Sequence, residues 1–217
     1  MTSNKGLCGA YNINVFREVL KQIKGTKADC ITIGKKAREF VIRTGHTLVA
    51  DYSDMFKDDP TPAQAKTISA SIREFFLTGE YSDVRVIYSF YISAISQKAV
   101  VRPFLPISRD TLSAFLEEIT GSIISPLTYS GEYTIEPSSE AVAERIVPLI
   151  LDLMFHEMIL EAKASEHAAR MVAMKNARES SGTKVKELTL IYNKARQADI
   201  TKEISEIVSG VESMKDV

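Results

Sequence analysis

Between Leu149 and Met214 the chain has no proline, and its only glycines there are Gly182 and Gly210. A stretch of that composition reads as one helix, and at ~1.5 Å per residue it reaches roughly 100 Å. That is several times the diameter of a small domain. Ser138, after Pro137, is placed to cap its start, with Glu140 at the favourable positive end of the helix dipole. Pro148 falls in the third turn, where a kink is expected. The expected division is a compact domain at residues 1–137 that holds the base of the helix, and a helix at 138–217 with no core of its own, projecting toward a partner.

The apolar pattern supports a partner. Ile200, Ile204, Ile207, Val211 and Met214 recur at spacings of four and three, the rhythm of a coiled-coil seam. Met158, Ala162, Ser165, Ala169 and Val172 repeat it with small side chains, as if a second helix approached closely there. Between the two, Asn193 and Gln197 interrupt the rhythm, and Val185, Leu188, Ile191, Ala195 and Ala198 form a stripe on a shifted face. The seam wanders, which argues against a uniform two-stranded zipper. Ordinary packing into a bundle is the plainer reading of any such stripe, but this helix is too long and the other helices too few.

From Lys163 to Arg196 eight bases stand against three acids, a local charge of +5 in a chain whose formal net charge is -1. A basic shaft is steered onto acidic protein surfaces. Nucleic acid is disfavoured as a partner, because the bases circle the helix without interleaved aromatics and the isoelectric point is near 6.3. No run of about eighteen apolar residues is present, so no direct insertion into a membrane is expected. Cys8 and Cys30 are expected as free thiols in a reducing compartment.

Before the long helix, strand and helix alternate. A glycine-bearing turn, Gly6-Leu7-Cys8-Gly9, leads to a helix from Asn12 or Asn14, capped by an asparagine side chain and stopped by Gly25. A strand at 28–34, a short helix at 35–43 and a strand at 46–51 follow. A helix ending at Gly79 comes next, then a hairpin of strands at 84–90 and 97–105. Residues 109–120 have helical spacing yet are open to a reading as a flexible insertion, and a last strand is expected at 132–136. The fold class is α/β, a Rossmann-like, mostly parallel sheet whose last hairpin supplies an antiparallel edge, followed by the very long coiled-coil helix.

Residues arranged for chemistry are few. The turn before the first helix lacks the further glycines or the Gly-Lys-Ser/Thr that a nucleotide site needs. His156-Glu157 opens like a zinc-protease motif, but Leu160 occupies the place of the second histidine. Cys8 and the three histidines, His46, His156 and His167, form no recognisable triad. No catalytic residue, cofactor or metal is expected.

Ser165-Glu166-His167-Ala168-Ala169-Arg170-Met171-Val172-Ala173-Met174-Lys175-Asn176-Ala177 closely resembles the C-terminal helix of the gamma subunit of F-type ATP synthases, as do residues 186–197 and 200–204. Gly6-Leu7-Cys8-Gly9-Ala10-Tyr11-Asn12 is similar to the family's turn after its first strand, and Glu136-Pro137-Ser138 to its entry into the rotor helix. The resemblance implies a rotor shaft inside alternating alpha and beta subunits, with a foot on the c-subunit ring and the epsilon subunit beside it. It places Arg196, Gln197, Thr201 and Glu203 against the catalytic head, and Arg170 and Lys175 in the basic stretch facing the beta subunits. Tyr133, Ile135 and Glu136 match the foot segment near the c ring. It implies a peripheral membrane protein at the cytoplasmic face of a bacterial cell membrane or the matrix side of the mitochondrial inner membrane. The family starts with a long helix that pairs with the C-terminal one, then a strand. Neither precedes Met1, so the resemblance implies a shortened chain. The rival expectations are a small-ligand-binding α/β module and a static coiled-coil scaffold.

Overall fold

The computed structural model describes residues 1–25, 28–56, 59–120 and 135–215. Helix α1 (Tyr11–Ile23) leads to strand β1 (Cys30–Thr32), helix α2 (Lys35–Arg43), strand β2 (Leu48–Asp51) and helix α3 (Pro62–Leu77). Strands β3 (Val84–Tyr91) and β4 (Gln97–Leu105), helix α4 (Arg109–Thr120) and helix α5 (Ser139–Lys215) complete the order. The chain divides into two compact units, Met1–Val172 and Ala173–Val217, so α5 contributes to both.

In the first unit β1 and β2 pair in parallel, while β3 and β4 form an antiparallel hairpin. The expected continuous sheet is thus two two-stranded sheets, and among the described residues β3 and β4 have no strand partner but each other. Alternate side chains of β3 separate two faces, as the pleat requires. Val86 and Tyr88 join Ile68 and Ile72 of α3, Phe115 of α4 and Phe155 of α5 in one buried cluster. On the other face Arg85 reaches Gln22 of α1 at 2.9 Å, and α1 packs on α2 through Phe16 and Phe40, whose rings stack at 4.2 Å.

Local chemistry explains the element boundaries. Thr61 and Gln64 close a capping box, and Pro62 occupies the first turn of α3, where its missing N–H costs nothing. Ser108 Oγ accepts from Thr111 N–H at 3.1 Å and starts α4, so 109–120 is a helix, and Phe115 buries it in the core. Ser138 caps α5 as expected, accepting from Ala141 N–H at 3.1 Å. The expected asparagine cap of α1 is not made. Asn12 lies inside the helix, where its side chain accepts from Ser3 N–H at 3.1 Å and donates to Ser3 Oγ at 2.8 Å and Cys8 Sγ at 3.3 Å. Those bonds tie the turn shut from within.

Residues 2–4 also cap α2, whose own N-cap residue, Gly34, has no side chain. Lys35 N–H donates to Asn4 Oδ1 at 2.9 Å, Lys36 N–H to Ser3 O at 3.2 Å, and Ala37 N–H to Thr2 Oγ1 at 2.7 Å. These are the donors a helix start leaves unpaired. Gly34 is required by the same contact: its φ is +98°, and a Cβ there would lie 2.0 Å from the Thr2 carbonyl oxygen.

Candidate functional site

The base of α5 is bound into the α/β domain. Leu151, Met154, Phe155, Met158, Ile159 and Ala162 lie on one helical face and are all buried. The small-residue stripe expected to receive a second helix begins here, and its first three members meet the domain instead. Met158 and Ala162 are core residues, and Ser165 Oγ donates to Ser89 O of β3 at 2.8 Å. The small side chains do allow close approach, but of a strand's main chain.

Polar clamps reinforce this seating. Arg73 Nη1 of α3 meets Asp152 at 2.6 Å, Tyr88 donates to Glu161 Oε2 at 2.7 Å, and Tyr11 donates to Ala162 O at 3.0 Å. Burial, then the charge of Glu166, pushes the Tyr11 hydroxyl well above the ordinary tyrosine range. Burial and its bond to Glu161 do the same for Tyr88. Both tyrosines remain protonated donors at any physiological pH. Arg170 pairs with buried Glu166 at 2.8 Å and reaches Lys5 O at 3.4 Å, so it too belongs to the first unit.

Opposite the buried face, Ile146, Leu149, Leu153 and Leu160 form an exposed row at spacings of three, four and seven. His156 fits the same row, and its Nε2 is buried with no hydrogen-bond partner. Sequence reading missed this row, although its three-four spacing was there to be found. The clamp residues Arg73, Tyr11 and Tyr88 were also missed, since nothing in a sequence links positions so far apart.

In the second unit every residue from Met174 to Ser213 is exposed. Ile200, Ile204, Ile207 and Val211 follow the seam rhythm at exposures of 48% to 66%, while the side chain of Met214 lies outside the described residues. Arg196 and Glu203 stand one turn before and after Ile200 on the same side, and Gln197 and Thr201 adjoin it. Thr201 Oγ1 donates back to Gln197 O at 2.8 Å. Lys175 is exposed. Of the expected foot contacts, Ile135 and Glu136 are exposed and belong to no strand, and Tyr133 lies outside the described residues, as does most of the strand expected at 132–136.

A family model described as ATP synthase matches residues 1–214. The ATP synthase gamma chain of Symbiobacterium thermophilum is 37% identical over 99% of this chain and 71% of its own length. That of Heliobacterium modesticaldum is 36% identical over 99% of this chain and 72% of its own. A chain of the Euglena gracilis mitochondrial ATP synthase, solved with OSCP, F1 and c-ring, superposes with a TM-score of 0.72 at 25% identity, covering 98% of this chain and 70% of that one. A chain of the Tetrahymena thermophila mitochondrial ATP synthase central stalk and c-ring shares the fold, with a TM-score of 0.63 at 24% identity over 82% of this chain and 74% of that one. An α/β domain continuous with one very long helix is thus a central-stalk fold. The chain belongs to the ATP synthase gamma-chain family.

Proposed function

We propose that this chain is a non-catalytic rotor shaft, coupling ion-driven rotation of a c ring to ATP synthesis or hydrolysis in an alpha/beta head. The observation that carries the reading is the contrast along α5: a base clamped into a folded domain, then 174–213 exposed with an apolar row and, up to Arg196, surplus positive charge. Torque needs a stiff grip at one end and a contact surface at the other. The clamps supply the grip, and the seam with Arg196, Gln197, Thr201 and Glu203 supplies the surface. Lys175 and its basic neighbours face the acidic side of the head, while Ile135, Glu136 and Tyr133 meet the c ring and the epsilon subunit lies beside the foot. The exposed row from Ile146 to Leu160 and the distal seam are where a second helix of the family lies.

The protein works at the membrane as a peripheral subunit, at the cytoplasmic face in a bacterium or the matrix side in a mitochondrion. Among the described residues no helix is long and apolar enough to cross a bilayer. The rival ligand site at the turn from Gly6 to Asn12 is disfavoured, because Ser3, Cys8 and Asn12 spend their polar atoms on one another and Cys8 is buried.

The test is Arg196→Ala in the assembled ATP synthase. A charge-assisted contact is worth roughly 1 to 3 kcal/mol, so coupled ATP turnover should fall at least several-fold with the α/β domain still folded. Unchanged turnover and assembly would remove Arg196 from the contact surface.

A further inference from the structure

The base of α5 is held by apolar and by polar contacts, and the two kinds sit at different angles around the helix. Phe155 and Ala162, about two turns apart, mark the middle of the buried face. Asp152 lies about 60° to one side of that line, and Arg170, about five turns after Asp152, returns to the same side. Ser165 and Glu161 lie about 80° and 120° to the other side. Each of these flanking residues carries a polar bond to the domain.

On the first flank Asp152 Oδ1 accepts from Arg73 Nη1 of α3 at 2.6 Å. The same nitrogen donates to the buried Ser69 Oγ at 2.7 Å, so the guanidinium is braced within its own helix. Arg170 Nη2 reaches Lys5 O at 3.4 Å. On the second flank the Tyr88 hydroxyl donates to Glu161 Oε2 at 2.7 Å, and Ser165 Oγ to the main-chain oxygen of Ser89, the next residue of β3, at 2.8 Å. The two flanks engage separate elements: α3 and the segment before α1 on one side, β3 on the other.

Apolar burial is non-directional: it holds the helix down but only weakly opposes a small turn about its own axis. Hydrogen bonds weaken steeply as distance and angle leave the optimum. A roll of α5 in one sense lifts Asp152 and Arg170 off their partners, and a roll in the other sense lifts Glu161 and Ser165 off theirs. Bonds on one flank alone would resist a single sense, whereas bonds on both flanks fix the angle. Fold stability by itself asks for no such arrangement, since a largely buried ion pair is often replaceable by apolar side chains of like volume at little loss.

Resting on the rotor reading above, we infer that these flanking bonds are the torque-bearing link of the shaft, with Arg73, Tyr88 and Ser165 as positioning residues that set the angle of α5 in the domain. The apolar face holds the helix in its seat, and the polar bonds at the two edges of that face carry the twist. Twist applied along the distal helix reaches the domain as stretch in one row of bonds, and the sense of the twist selects the row.

The test uses the assembled ATP synthase head with this chain as its shaft, the head fixed to a surface and a bead on the α/β domain. Between ATP-driven steps the angular variance of the bead reads the torsional stiffness of the link. One rotor carries Arg73→Met with Asp152→Leu, a second Tyr88→Phe with Ser165→Ala, and a third all of these changes. Ile68→Val, in the core and away from both flanks, is the control. Each flank alone should raise the variance, and the two together should raise it roughly 1.5-fold or more, beyond the sum of the separate effects. The control should lower the unfolding temperature of the domain and leave the variance unchanged. If the third rotor does not assemble, the first two decide, since each must be softer than the unaltered one. Unchanged variance in the altered rotors, or an equal rise with Ile68→Val, would overturn the link and leave the bonds to fold stability. A bead that does not turn on the unaltered complex would instead overturn the rotor reading itself.

Discussion

The two parts of α5 have similar helix-forming sequences and opposite dependence on context. From Leu151 to Ala162 six side chains are buried in the domain, each contributing roughly 1 to 3 kcal/mol according to its size. From Met174 to Ser213 none is buried, although Ile200, Ile204, Ile207 and Val211 are as apolar as anything in the core. Amphipathic spacing therefore says that a helix has a face to cover, and nothing about whether its own domain or a partner covers it. The base is made stable by folding. The distal part is held by helix propensity, by pairs on its own surface such as Lys184–Glu187, and by whatever it meets.

The sharpest way to break this contrast is a matched pair of truncations. Phe155→Ala removes a ring that lies 5.5 Å from Phe104 in the core and should cost about 3 to 5 kcal/mol of unfolding free energy. Ile204→Ala, at an exposed position, should change the free chain by less than about 0.5 kcal/mol. Equal shifts in chemical denaturation would show that the distal helix is already covered in solution, for instance by self-association.

A smaller effect is expected at the clamp. Asp152→Asn keeps the shape and removes the charge that Arg73 meets at 2.6 Å, in a pair whose side chains are 20% and 13% exposed. Some solvent reaches it, so the cost should be about 1 to 2 kcal/mol rather than the 3 to 5 of a fully buried pair. Unfolding of the charge-reversed double variant would separate the pair term from simple packing. The smallest effect belongs to Gly182→Ala, since a Cβ there meets nothing and an alanine is better by about 1 kcal/mol in a helix. Amide exchange around residue 182 should slow up to about fivefold, and exchange at 151–162 should not change.

Much of the fold was legible in the sequence. The lower and upper bounds of β4 and α2, the hairpin and the unbroken helix from Ser139 follow from β-branched runs, glycine stops and the Ser138 cap. These are local preferences, set within a few residues. The exposed row at Ile200 to Val211 was legible for the same reason. The asparagine cap of α1 failed because Asn12 spends its side chain on Ser3 and Cys8 across a turn, a competition that propensity does not record.

By itself, then, the sequence determined where the chain is helical, where it is extended, and that one helix carries more apolar surface than a small domain needs. Only the tertiary structure decided which of that surface is covered: Ser165 by Ser89, Asp152 by Arg73, and Met158 and Phe155 by the core. Among the described residues it also set β1–β2 and β3–β4 as separate pairs, and it made residues 2–4 cap a helix some thirty positions away. The reason is physical. Periodicity is written in backbone geometry over one or two turns, whereas the choice of neighbour depends on contacts between residues far apart in the chain, each of which has other apolar or polar partners it would satisfy equally well.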